Sequence, residues 1–518
     1  MLQVRLKFHP GTLWLVAAVA LSMMEIYAAG GRVRLQLPAA PRDSIPGFAR
    51  EIGLIRRTSD SNGAAILVLE NLASASNSGA EVTITARLTS QPAIGSVGAD
   101  ELPSLFCPNG GCARNPIPAP ARQLPVPLPL AARQNVRVNH DHETLKNPRS
   151  PSCERPGACT SDSESISALI QDSADKPRIY FLQTAIRTPG VEAGHAAISC
   201  RPVAENGRVR IYVDEHVRRN ESLQQLVQAI HDASSSELGE IVQTLVGPVR
   251  DIDHDGRLTI VVTPEIARLG TGASPVHGLT RPADFLPGLE RPEGNNSDVI
   301  FLSSELRPGD QLRAVLAHEW CHASVFSRRM QLGRRADEDW LNEAIAHVVE
   351  VRASGSHSNL SHRIQKYRSS PSQSPLVVAD YYRPDFWRHD GCRGAAFLFL
   401  NWCLEHADER LLDRLVNSEC RGTESLEMSM GRPFADLFHA WSVSQAHALA
   451  CQTGGSDGSA VSAQVWRISG DKATLKLRIS GTSAAYVRIE SANPEWTWRL
   501  TASSDQDEQL RATLIPVK

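Results

Sequence analysis

The sequence predicts an α+β protein in which a two-lobed central unit, mixed sheet first and helices after it, is flanked by small β domains. Three observations carry that expectation. Apolar residues alternate with period two near both ends of the chain, a middle stretch interleaves short apolar runs with helix-period segments, and Pro308 to Ala450 reads as mostly helical. The chain has 518 residues, enough for several domains with substantial cores. Lys plus Arg is 54 and Asp plus Glu is 57, a formal net charge of −3. No global field therefore draws in nucleic acid, which is excluded as a partner.

In chain order, Arg5, Lys7 and His9 precede an apolar run from Leu13 to Met24 and the small residues Ala28, Ala29 and Gly30. Residues 1–29 therefore read as a signal peptide, too short in its apolar part for the ~20 residues that span a bilayer. The expectation is an extracytoplasmic protein with no membrane span after cleavage. Residues 30–115 are expected to form an N-terminal β domain: Val82, Ile84, Ala86 and Leu88 alternate with polar residues, and Ser61-Asn62-Gly63 and Asn77-Ser78-Gly79 mark turns. Six prolines between Pro116 and Pro129, then a Ser/Pro/Gly-rich stretch, make residues 116–176 a linker.

Residues 177–452 hold the mixed unit. Strands are expected at Ile179–Leu182, Val209–Val213, Leu258–Thr263 and Val299–Leu302, with a hairpin turn at Glu205-Asn206-Gly207. Helices are expected near Leu223–Ile230, Glu237–Val246, Leu312–Phe326, Leu341–Val351, Ala395–Leu404 and Phe434–Ala450. Residues 453–518 form a C-terminal β domain, with Ala473, Leu475, Leu477 and Ile479 on one face. Of ten cysteines, Cys107/Cys112 and Cys153/Cys159 are closely spaced in turn-rich sequence, as short disulfide loops in an oxidising compartment would be.

The chemistry concentrates in His318-Glu319-Trp320-Cys321-His322. Two His four apart lie about 40° apart around a helix axis, so both imidazoles can reach one tetrahedral zinc. Glu319, about 100° round from His318, lies beside such a metal as a base rather than a ligand. A hydrolytic zinc needs a third protein ligand. Glu343, 21 positions after His322, sits in an apolar helical stretch with Leu341, Ile345, Val348 and Val349, so its carboxylate needs a partner. Cys321 reads as a small buried residue or a disulfide partner.

HExxH followed by Asn342-Glu343-Ala344 resembles the gluzincin metallopeptidases, and Trp340-Leu-Asn-Glu-Ala-Ile-Ala-His347 is most similar to their hyicolysin-type neutral metalloproteases. The resemblance runs from near Arg178, through Asp251-Ile-Asp-His-Asp-Gly256, to Trp441. It implies a bilobal zincin domain over residues 177–452, with His318, His322 and Glu343 as zinc ligands, Glu319 as general base and Asn342 supporting them. Four residues after Glu343, where such enzymes carry an Asp that orients a zinc-bound His, this chain has His347. A downstream donor for the oxyanion is also implied, and Tyr382, His389 and Arg393 are the candidates.

Asp251, Asp253 and Asp255 followed by Gly256 resemble the start of an EF-hand loop, but position twelve is Val262, so a complete EF-hand is excluded. A calcium ion completed by distant ligands and a plain Asx-type turn are both compatible with the segment. The functional expectation is an exported zinc endopeptidase acting on protein or peptide substrates. Its alternative is a cell-surface binding or adhesion protein with a silent protease-like domain.

Overall fold

The computed structural model describes residues 27–28, 31–32, 50–55, 64–73, 79–89, 177–183, 194–269, 276–379, 381, 390–451, 460–491, 497–504 and 509–517. Residues 1–26 of the expected signal peptide, the linker prolines, both closely spaced cysteine pairs, Tyr382 and His389 lie outside them. The chain divides into Met1–Phe48 and Ala49–Lys518. In the first unit, β1 (Tyr27–Ala28) pairs antiparallel with β2 (Gly31–Arg32).

The second unit opens with β3 (Arg50–Ile55), β4 (Ala64–Asn71) and β5 (Ala80–Thr89). A six-stranded sheet follows, made of β6 (Arg178–Gln183), β7 (His195–Glu205), β8 (Val209–Asp214), β9 (Leu258–Thr263), β10 (Gly278–Leu279) and β11 (Val299–Ser303). Their order is β10-β11-β9-β8-β7-β6; β8, β9 and β11 run parallel, and β10 closes one edge antiparallel to β11. β9 and β11 are buried along their whole length, which is why they read as continuous apolar runs rather than alternating ones. The expected turn before β8 forms because the Asn206 side-chain oxygen accepts from the backbone N–H groups of Arg208 and Val209, both at 2.9 Å.

Helices α1 (Glu221–Ser235), α2 (Leu238–Val246) and α3 (Glu265–Leu269) lie between the strands. Asn220 caps α1, its side-chain oxygen accepting from the Leu223 N–H at 2.9 Å. After β11 come α4 (Asp310–Gln331), α5 (Asp339–Ser354), α6 (Ser361–Ser369), α7 (Asp390–Glu405), α8 (Leu411–Val416), α9 (Gly422–Met430) and α10 (Phe434–Ala450). α4 packs beside α5, and α7 against both α5 and α6. Trp320, Trp340, Phe399 and Trp441 are among the largest side chains fully buried between them. The molecule is thus α+β, as expected.

The last five strands are β12 (Gln464–Ile468), β13 (Lys472–Ile479), β14 (Ser483–Ser491), β15 (Thr497–Ser504) and β16 (Leu510–Pro516). They do not make a sheet of their own. One four-stranded sheet has the order β12-β14-β4-β16 and the other β13-β5-β15-β3, so strands from residues 50–89 are interleaved with strands from 464–516. β4 is buried on both faces: Ala65, Leu67 and Leu69 enter the core between the two sheets, while Ala64, Ile66 and Val68 join the main core with the helices. On that second face Glu70, 1% exposed, meets His439 Nδ1 of α10 at 3.1 Å. Among the described residues no helix is long and apolar enough to cross a membrane.

Candidate metal centre

α4 is a 22-residue helix whose middle, from Ala314 to Ser327, is buried without a break, so the polar side chains there have to find partners inside the protein. His318 and His322 project from one face, with Nε2 atoms 3.1 Å apart. From the neighbouring α5, Glu343 brings one carboxylate oxygen 3.3 Å from His318 Nε2 and the other 3.7 Å from His322 Nε2. These three donors fall within 4.8 Å of one another, and all three residues are buried or nearly so. The set expected from the sequence is therefore brought together in space.

The hydrogen bonds behind this cluster fix its tautomers. Glu350 Oε2 faces His318 Nδ1 at 3.0 Å, His347 Nδ1 at 2.9 Å and the Asn359 amide nitrogen at 3.2 Å. Burial disfavours the Glu350 carboxylate, but the hydrogen bonds from His318 and His347 outweigh it and hold the pKa down at about 2. A carboxylate cannot donate, so both Nδ1 atoms carry hydrogen, and His318 turns its other nitrogen, Nε2, toward His322 and Glu343.

Two Nε2 atoms facing each other at hydrogen-bond distance need a proton or a metal ion between them. In the protein alone a proton fills that need. Burial works against a charge on His318, yet Glu343 and Glu350 carry its pKa up to about 10. Burial, reinforced by the His318 charge, pushes His322 down to about 3. At zinc–nitrogen bonds of roughly 2.0–2.1 Å, two imidazole nitrogens at a tetrahedral angle stand about 3.3 Å apart, close to the separation seen here. Two imidazoles and a carboxylate are a zinc donor set, and the residues present fit the ion.

Glu319 lies beside this cluster and outside it. Its Oε2 accepts from the Thr280 hydroxyl at 2.7 Å, and the same hydroxyl reaches the Glu319 backbone oxygen at 3.2 Å. Burial raises its pKa to about 7, against the opposing pull of His318 and Thr280. Gly278, on edge strand β10, leaves the space that the carboxylate fills: a Cβ there would stand 2.5 Å from Glu319 Oε1. Arg393, in the first turn of α7, places Nη1 3.1 Å from Glu343 Oε2 and its guanidinium 5.6 Å from the Tyr381 ring centre. Asn342 is buried next to Glu343. Cys321 is a buried thiol, raised well above its ordinary pKa by burial, and joins none of the ligand groups among the described residues.

Sequence reasoning missed Glu350, Thr280 and Gly278. The position four after Glu343 is occupied by His347, and the carboxylate that orients His318 stands seven positions after Glu343, two turns along the same face of α5. A buried carboxylate at that spacing was the available signal. Thr280 and Gly278 carried none, because a two-residue edge strand has no periodicity to read.

Asp251, Asp253 and Asp255 also come within reach of a single ion. Asp251 accepts from the backbone N–H groups of Asp255 and Gly256 at 3.2 and 3.1 Å, an Asx-type turn. Asp253 pairs with Arg178 at 2.8 Å and with Ser297, and Arg210 is 3.5 Å from Asp255. Asp298, 2% exposed, is pushed up to about 8 by burial and by the charges of Asp253 and Asp251.

No family model matches the chain. Over 214 residues, 38% of this chain and 47% of the relative, it is 22% identical to the neutral metalloprotease ShpI of Staphylococcus hyicus, so the chain spans about half the length of that protein. The likeness is to a metalloprotease, and His318, His322 and Glu343 form a group that could hold a metal ion.

Proposed function

We propose that the protein is an exported zinc endopeptidase with Glu319 as general base. One observation carries the reading: three buried donors on two packed helices converge, while a fourth acid, Glu319, is held beside them by Thr280 instead of joining them. His318, His322 and Glu343 would hold the zinc, which when bound polarises the scissile carbonyl and makes water more acidic. Glu319 takes the proton of the attacking water on its carboxylate and returns it to the leaving amine; a pKa near 7 suits both transfers at neutral pH. Thr280 and the absence of a side chain at Gly278 keep that carboxylate in one orientation. Glu350 takes the hydrogen bond of His318 Nδ1 and so aims Nε2 inward.

The signal-peptide pattern and the paired cysteines support an extracytoplasmic location. Substrates would be proteins or peptides. The adhesion reading is disfavoured by the retained, positioned Glu319, which a silent metal site has no use for. Calcium at Asp251, Asp253 and Asp255 is the second ion we propose, supported by the buried, unbonded oxygens of Asp253 and Asp255; Arg178 and Arg210 weaken the case by neutralising part of the charge.

The decisive experiment is metal analysis of the purified chain together with casein cleavage by wild type and Glu319→Gln. One zinc per chain in both proteins is expected, with cleavage reduced by about 10²–10⁴ in the variant. Equal cleavage by the two proteins, or no stoichiometric zinc, would refute the mechanism.

A further inference from the structure

We propose that Arg393 is the donor that holds the carbonyl oxygen as it gains charge during hydrolysis. This rests on the zinc-peptidase reading and adds the residue which that reading leaves open. The guanidinium stands beside the ligand cluster: Nη1 is 3.1 Å from Glu343 Oε2, and Glu343 itself faces both His318 and His322 Nε2. Its side chain is only 16% exposed and its guanidinium lies near the Tyr381 ring, so the cation is partly desolvated and fixed before substrate arrives.

The charges explain why this cation belongs to the reaction rather than to the resting fold. Four acids surround the site: Glu319, Glu343, Glu350 and Asp390. Asp390 is paired with Arg363 at 3.1 Å, and Glu350 Oε2 is met by His318, His347 and Asn359. A divalent ion held by Glu343 would take over the neutralisation that Arg393 now gives that carboxylate, so the guanidinium would stand beside the ion as a second fixed positive charge. In the reaction the water oxygen adds to the carbonyl carbon, its proton goes to Glu319, and the carbonyl π pair moves onto the oxygen, opposite Arg393. Collapse of that adduct breaks the C–N bond, and Glu319 returns the proton to the amine. The negative charge thus moves from Glu319 to an oxygen held by Arg393, and the site as a whole neither gains nor loses charge.

The test compares Arg393→Met and Arg393→Lys with wild type in three readouts: zinc content, steady-state peptide cleavage, and binding of a phosphinic peptide, whose tetrahedral anion mimics the adduct, against binding of a product peptide. The expected result is full zinc occupancy, kcat lowered by about 10²–10³ in Arg393→Met with KM little changed, partial recovery in Arg393→Lys, and phosphinic-peptide affinity lowered in step with kcat while product affinity is unchanged. Lost zinc in both variants would make Arg393 a support for Glu343 and overturn the proposal. So would an effect on KM alone, or a Tyr382→Phe or His389→Gln variant that loses phosphinic-peptide affinity while Arg393→Met does not. A zinc-loaded wild type that cleaves nothing refutes the peptidase reading, whereas the phosphinic-peptide comparison still decides whether Arg393 meets the anion.

Discussion

Glu350 is the residue on which the geometry of the metal centre depends most without touching the metal position. It receives hydrogen bonds from two imidazoles and an amide in a fully buried site, so Glu350→Gln replaces a carboxylate acceptor by a group that also donates. Its amide can then face His318 with the wrong end, and the ring loses the acceptor that orients it. Zinc affinity is expected to fall about 10–100-fold, readable by competition with a chromogenic chelator, with the fold kept as judged by circular dichroism. A second residue-scale prediction concerns Asp298. Its pKa rises from 3.8 unfolded to about 8 folded, so the folded state holds the proton more tightly. That preference favours folding below the unfolded value and is lost as pH rises from about 4 to about 8. Asp298→Asn fixes the uncharged form and can keep the acceptor that Ile252 N–H uses at 3.0 Å. In chelator-treated protein the variant should melt higher than wild type at pH 8, by on the order of 1–3 kcal/mol of stability, and equally at pH 4.

At the scale of elements, what was legible is what a single helix can encode. α4 and α5 follow from period-3.6 patterning, and the spacing of His318, His322 and Glu319 fixes their relative angles once the helix is granted. How α4 and α5 face each other is not local, so the partner of Glu343 had to be inferred from resemblance; so had any role for Arg393, since α7 reaches Glu343 across 50 positions of chain. The α6–α7 contact shows the same limit. Gly394 lets these helices touch, for a Cβ there would stand 2.2 Å from the Arg363 backbone oxygen. Gly394→Ala should therefore force α7 outward and carry the neighbouring Arg393 with it. A destabilisation of roughly 1–3 kcal/mol in urea unfolding is expected, with a larger proportional loss of peptide cleavage than of zinc binding. Equal stability of the variant would mean that the two helices do not need the close approach.

Over the whole molecule, the least legible feature is the sharing of sheets between the two ends of the chain. Alternation told that residues 80–89 and 472–479 are strands; it could not tell that Val82 pairs with Leu477 and Ile84 with Leu475, about 390 positions away. The consequence bears on maturation. β4 and β5 are interior strands of their sheets, each hydrogen-bonded on both sides to strands from residues 472–516, and Ile66, Leu67, Val68 and Leu69 are at most 1% exposed. Four such side chains represent roughly 6–12 kcal/mol of burial, before the opposing cost of association. Residues 50–89 are thus built into the folded unit and unsuited to removal as a propeptide. A chain carrying an inserted site-specific protease sequence between Pro116 and Pro129 should, after complete cutting, elute from gel filtration as one species containing both fragments, and separate only in denaturant. Because β4 also carries Ile66, Val68 and Glu70 against the helical lobe, the nicked protein should keep its zinc and its cleavage activity. Release of the N-terminal fragment under native conditions, with activity retained, would show that the shared sheets are dispensable.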